Sequence, residues 1–292
     1  MATKGTKGTN STTAANGARG ATLLIIDPQN DFHPGGTLAI PTADQDAERI
    51  ATFIRKHTDD IDRIVVTLDS HQRVHIAHGV FWVGESGEHP PPFTLISRAD
   101  VARGKWRASD ASKRAAAEEY VRKLEERGRF TLCVWPEHCI IGSPGHNVRP
   151  VILEAVNEWA ESRMREVTFV LKGQNCLTEM YSALRAEVPV PEDERTLLDA
   201  ALLGTLKESR RVVVCGQALS HCVNFTVRDL VASYDDDADR LDRLASICVL
   251  RDGTSAVPGF EEEGRAFLAD MQALGVRVLT TEACALTEAH AP

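Results

Sequence analysis

No apolar run in the 292-residue chain approaches the ~18–20 residues that a membrane-spanning helix requires, so a bilayer-embedded protein is not expected. A basic excess is missing too. The 33 Lys and Arg are outnumbered by 42 Asp and Glu, for a net charge of −9, which argues against a large nucleic-acid footprint built from clustered cations. Seven cysteines stand at 133, 139, 176, 215, 222, 248 and 284, and no pair has C-x-x-C spacing, so neither a zinc knuckle nor a dithiol redox motif is present. Residues 1–20 are Thr, Gly, Ala and Ser without an apolar core, unlike a secretory signal, and are expected to form a disordered tail. With no export signal, the default expectation is a cytoplasmic protein with free thiols. There is no repeat of 20–50 residues. What remains, 43% hydrophobic and 26% charged, is ordinary globular material, read as one domain over residues 21–292.

Short runs rich in Val, Ile and Leu recur at 22–26, 63–68, 167–171, 211–215, 246–250 and 276–280. Nearly continuous apolar runs of this length suit parallel strands buried on both faces. Helix-period stretches lie between them at 43–57, 149–162, 194–209, 221–234 and 260–273. Strand–helix alternation predicts βαβ units and a three-layer α/β/α fold around a largely parallel sheet. One excursion, 79–134, breaks the rhythm with Pro90-Pro91-Pro92 and a charged, Ala-rich helical stretch at 111–127. The apolar face of that stretch is thin, so loose packing over the surface is expected; a lid and a neutral surface insertion are equal readings.

Reactive side chains in such a sheet collect at the carboxyl ends of the strands. The first run ends at Asp27, where partial burial favours use as a general base. The second ends in Asp69-Ser70-His71, with His75 and His78 close behind. Two residues apart on an extended segment, Asp69 and His71 point the same way and can meet one divalent ion, with His138 as the best third ligand. The third run ends at Lys172, a fixed charge if it does not reach solvent. The fourth is followed by Gly216 and then His221-Cys222 at the start of a helical run. A cysteine there gains from the helix dipole and from free N–H groups that favour a thiolate and hold an oxyanion. Asp27 as base, Cys222 as nucleophile and Lys172 as tuning charge make a nucleophile constellation if they converge.

These segments, in this order, resemble the isochorismatase-like cysteine hydrolases, and within them the nicotinamidase (pyrazinamidase) group. The resemblance is carried by Asp27-Pro28-Gln29-Asn30-Asp31-Phe32, Gly35-Gly36-Thr37-Leu38, Asp69-Ser70-His71, Trp135-Pro136-Glu137-His138-Cys139 with Gly142-Ser143-Pro144-Gly145, Lys172-Gly173, and Gly216-Gln217-Ala218 with His221-Cys222-Val223. It implies a six-stranded sheet ordered 3-2-1-4-5-6 and the triad Asp27, Lys172 and Cys222. It also implies an oxyanion hole from the backbone N–H groups of Ala218 and Cys222, beside a cis Gln217–Ala218 peptide. Asp69, His71 and His138 become ligands of one divalent metal, zinc first and iron or manganese as alternatives, with His75 as a further ligand candidate. Phe32, Trp135 and His221 match the walls of a pyridine pocket. The implied activity is hydrolysis of nicotinamide to nicotinate and ammonia through a thioester; the alternative is another small amide. The implied partner is that small molecule, with no nucleic acid or membrane, and a homo-oligomer is compatible. The chain departs from the pattern in the long 79–134 excursion, in the segment 174–183, and at Ser220, where the group commonly has Asp.

Overall fold

The computed structural model describes residues 19–286. The expected tail lies outside the described residues as far as residue 18, and Arg19 and Gly20 already belong to a strand. In chain order the first half holds β1 (Arg19–Ile26), α1 (Ala43–Lys56), β2 (Ile61–Asp69), β3 (Trp82–Val83), β4 (Leu95–Ile96), α2 (Arg98–Ala102), β5 (Arg107–Ala108), α3 (Arg114–Glu126) and β6 (Leu132–Cys133). The second half holds α4 (Pro150–Arg163), β7 (Thr168–Lys172), α5 (Ala200–Lys207), β8 (Ser209–Gly216), α6 (Cys222–Ala232), α7 (Arg240–Ala245), β9 (Ile247–Leu250), α8 (Glu261–Leu274) and β10 (Arg277–Leu279).

The main sheet runs β10-β9-β8-β1-β2-β7, and each of its pairings is parallel. Numbered among themselves, its six strands lie in the expected order 3-2-1-4-5-6. Strand order reverses between β1 and β8, which makes their carboxyl ends the natural cleft of an open α/β sheet. Pleating sorts the core. Leu23 and Ile25 of β1 face one apolar layer with Ile50, Ala51 and Ile54 of α1 and Ile152, Val156 and Trp159 of α4. Leu24 and Ile26 face the other, with Val223, Val227 and Leu230 of α6 and Phe267 and Met271 of α8. Among the described residues, no helix is long and apolar enough to cross a membrane.

Three expectations are corrected. β7 is an edge strand, not one buried on both faces: Phe169 and Leu171 are 44% and 46% exposed. The helix expected over 194–209 covers only α5. The Asp193 carboxylate accepts from the Arg195 N–H to close a separate 3-10 turn, and Asp199 then caps the true start by accepting from Leu202 N–H at 2.8 Å. Finally, α3 does not lie loosely. Ala117, Tyr120, Val121 and Leu124, spaced i, i+3, i+4, i+7, are buried in one cluster with Trp82, Trp106 and Leu132. A thin stripe suffices because the excursion brings its own large aromatics to cover it.

The excursion leaves and rejoins the fold through a zipped stem. Isolated parallel bridges join His71 to Ile140 and His78 to Trp135. The Trp135 N–H donates to the Ala77 carbonyl at 2.7 Å, and the Ile141 N–H to the His71 carbonyl at 3.0 Å.

Candidate active site

Asp27, Lys172 and Cys222 meet at the reversal point of the sheet, all buried. Lys172 Nζ lies 2.9 Å from Asp27 Oδ2 and 3.4 Å from Cys222 Sγ. It also donates to Asp69 Oδ1 at 3.1 Å and to the Met180 carbonyl at 2.9 Å, so the ammonium is fully engaged. Asp27 ends β1 with φ of 40°, a left-handed conformation unusual for a side-chain-bearing residue and the kind that is held at functional sites. Thr67 fixes it from β2: its hydroxyl accepts from the Asp27 N–H at 3.0 Å and donates to Asp27 Oδ1 at 2.5 Å. Cys222 is the first residue of α6, and its sulfur is tied to Asp27 through Lys172 Nζ, which contacts both.

Burial dominates the protonation of this trio. It pushes the Asp27 carboxyl above its ordinary value, against the opposing pull of Lys172. It pushes the Cys222 thiol well up as well, with Lys172 offsetting part. Burial alone would lower the Lys172 pKa, but the charges of Asp27 and Asp69 outweigh it and hold the ammonium protonated. The loop between β8 and α6 is shaped by Gly216, whose φ is 106° and where a Cβ would lie 2.0 Å from the Ile26 carbonyl oxygen. The Gln217–Ala218 peptide that follows is cis, and Ala218 and Cys222 flank the short loop leading into α6.

The expected metal ligands also converge. Asp69 Oδ2 is 3.0 Å from His71 Nε2 and 3.2 Å from His138 Nε2. Burial pushes Asp69 up, yet His71 and Lys172 overcome it and hold the carboxyl well below its ordinary range. His75 is nearby but spoken for: its Nε2 faces the Thr178 carbonyl at 3.1 Å, and its Nδ1 accepts from the Ala77 N–H at 3.2 Å. His78 is the better placed. Its Nε2 is buried without a partner, and its ring joins those of His71 and His138 with ligand atoms within 4.8 Å of one another. Burial, then His71 and His138, lower its pKa to about 3, so the imidazole is neutral as a ligand must be. His71 and His75 form a second such group with Glu179, and both His71 Nδ1 and Glu179 Oε2 are buried without partners. Orphaned buried donors and acceptors of this type fit a divalent cation held by imidazole and carboxylate.

Two polar residues of the opening motif set this geometry. The Gln29 amide spans Asp69, accepting from its N–H at 2.7 Å and donating to its carbonyl at 2.8 Å. Asp31 accepts from the Cys139 N–H at 2.7 Å and so pins the segment that carries His138. Of the expected pocket walls, Trp135 and His221 are in edge-on contact at 5.0 Å, while Phe32 lies against His138 at 5.6 Å. His221 is buried enough to lower its pKa to about 3. Sequence reasoning passed over Glu179, although it is the one charged residue between Leu177 and Ala183, and it ranked His75 above His78.

No protein-family model matches the chain. It is 26% identical to the nicotinamidase of Escherichia coli (strain K12) over 211 residues, 71% of this chain and 74% of that protein. A solved nicotinamidase/pyrazinamidase from Acinetobacter baumanii superposes with a TM-score of 0.60 at 21% identity, covering 90% of this chain and 97% of the other. The pyrazinamidase of Pyrococcus horikoshii, solved in complex with zinc, does so with a TM-score of 0.51 at 19% identity, covering 89% and 98%. In sequence and in fold the chain is similar to the nicotinamidases and pyrazinamidases, and the resemblance to isochorismatase-like cysteine hydrolases read from its motifs is borne out.

Proposed function

We propose that the chain is a metal-containing cysteine amidohydrolase that converts nicotinamide to nicotinate and ammonia through a thioester. The observation that carries this reading is the convergence, in one dry cleft, of Cys222 at a helix start with Asp27 and Lys172. A buried thiol with a raised pKa is neutral at rest and needs a base, and Asp27, itself raised, is the base in reach.

Asp27 takes the thiol proton as Cys222 Sγ bonds to the carboxamide carbon. Backbone N–H groups of Ala218 and Cys222 receive the oxyanion, and the α6 dipole adds to their pull. Collapse breaks the C–N bond while Asp27 returns its proton to the departing nitrogen, releasing ammonia. Asp27 then deprotonates a water that attacks the thioester carbon; a C–O bond forms, the C–S bond breaks, and the proton passes back to Cys222. Lys172 keeps Asp27 ionised between these transfers. Its charge acts strongly because Asp27, Lys172 and Cys222 are all buried.

Asp69, His71 and His138, joined by His78, would hold the metal, with Glu179 against His71. A divalent ion bound there supplies a Lewis acid for the substrate's ring nitrogen, and zinc is the first candidate. Phe32, Trp135 and His221 wall the ring. The setting we propose is a cytoplasmic enzyme of pyridine nucleotide salvage, with residues 21–292 as one domain carrying the 79–134 insertion. The test is ammonia release from nicotinamide by metal-loaded protein beside Cys222→Ala, with mass mapping of the trapped acyl adduct. Turnover is expected to disappear in the variant, and the adduct to sit on Cys222. An adduct elsewhere, or full activity in Cys222→Ala, would refute the scheme.

A further inference from the structure

Folding brings together two thiols that no spacing in the sequence pairs. Cys248 Sγ on β9 and Cys284 Sγ, 36 residues later, stand 3.7 Å apart, and both side chains are buried. They share an apolar layer with Cys215 and Leu250. Cys284 belongs to a strap that follows β10. Residues 282, 283 and 285 are exposed, while Cys284 and Leu286 between and beside them are buried, so two inward anchors hold a surface segment. The strap is also hydrogen-bonded at both ends. The Asp252 carboxylate accepts from the Thr281 N–H at 2.7 Å and from its hydroxyl at 2.9 Å. From β8, Arg210 donates to the Leu286 carbonyl at 3.1 Å and Arg211 to the Ala285 carbonyl.

Through Asp252 the strap bears on the end of the sheet where the candidate site lies. The Gly253 carbonyl accepts from the Gly216 N–H at 2.8 Å, and the Ser255 carbonyl from the Leu219 N–H at 2.8 Å. Residues 252–255 therefore brace the loop between β8 and α6. The two thiols are also unequal. Their hydrogen bond raises the Cys248 pKa and lowers that of Cys284; burial works against the Cys284 thiolate, while Arg211, Arg277 and Lys56 favour it. A sulfur suited to attack, in contact with a second that can follow, is the arrangement that thiol–disulfide exchange uses.

We infer that Cys248 and Cys284 form a reversible oxidation site, whose oxidant is a small-molecule disulfide and whose product is an intramolecular disulfide fastening the strap to β9. The Cys284 thiolate, its proton released to solvent, attacks one sulfur of the oxidant; that S–S bond breaks and a first small thiolate leaves. Cys248 gives its proton to this thiolate and bonds to Cys284 Sγ. The mixed disulfide breaks, and the second small thiolate leaves and takes a proton from solvent. Two electrons pass from the protein to the oxidant, which is reduced to two thiols. Because both sulfurs are buried, the first step waits on local opening of the strap, which its short run and exposed residues permit without parting the sheet. Under reducing conditions the pair stays open. A link across 36 residues removes freedom chiefly from the unfolded chain, so the oxidised form is the more stable.

The experiment equilibrates the metal-loaded protein in mixtures of oxidised and reduced glutathione, quenches with acid, alkylates the free thiols and maps the peptides before and after dithiothreitol. In the most oxidising mixtures the peptides carrying Cys248 and Cys284 are expected as one linked species, two hydrogens lighter than their sum, that separates on reduction. Oxidation is expected to raise the melting temperature of wild type by about 5 °C or more, but not that of Cys248→Ser or Cys284→Ser. It is also expected to slow amide hydrogen exchange over 252–255 and 280–286. The wild-type map decides the link even where a variant does not fold. Separate alkylation of Cys248 and Cys284 in the most oxidising mixture, or a link from Cys284 to Cys215, would overturn the site. A Cys248–Cys284 link that leaves melting temperature and exchange unchanged would overturn its role as a fastener.

Discussion

Lys172 joins two halves of the site that the linear sequence presents separately. One ammonium contacts the Asp27 and Asp69 carboxylates and the Cys222 sulfur, so the proposed base and nucleophile and the candidate metal ligands share a counter-charge. The pH dependence follows from Asp27. It accepts a proton only when ionised, and burial raises its pKa above the ordinary 3.8, so activity falls with acid through a value higher than that of a free carboxyl. A kcat/KM profile with bound metal assayed at each pH should show this limb, and Asp27→Asn should lose about 10²–10⁴-fold in kcat. An acid limb at or below the ordinary value would contradict the assignment. Asp27, Lys172 and Cys222 were readable because each closes an apolar run or opens a helix. The choice between His75 and His78 was not readable, because which imidazole nitrogen is left unpaired depends on Arg73, Ala77 and Thr178 backbone atoms whose positions no spacing encodes; Glu179 was not named, because it comes to His71 from a segment outside any strand or helix.

At the level of elements, period and apolarity located all six strands of the main sheet and most helices, since buried parallel strands have no polar face to confuse the pattern. The errors have local causes. β7 carries an apolar sequence but sits at the edge, where Phe169 and Leu171 meet solvent. α5 is shortened by side-chain carboxylates that compete for backbone N–H groups. The stripe on α3 was visible, but its partners Trp82 and Trp106 lie in segments with no regular period. The burial of α3 makes a sharp expectation: Leu124→Ala should cost about 2–5 kcal/mol in urea unfolding. A loosely docked helix would give almost none.

The whole molecule is organised so that its longest excursion is bracketed by imidazoles. His71 and His78 precede it and His138 follows it, and the bridges from His71 to Ile140 and His78 to Trp135 zip the two sides together. Any ion gripped by histidines from both sides therefore acts as a clasp on a chain loop, and the ends of that loop carry an entropic cost of staying together. Cation occupancy and folding of the excursion become thermodynamically linked, in addition to whatever the ion does for substrate. Stripping the cation should lower the melting temperature and speed amide hydrogen exchange mainly across residues 79–134, leaving β1 and β8 protected. Exchange that rises uniformly, or not at all, would show that the stem holds without its clasp. With a cation so held, the order of the excursion would depend on metal supply.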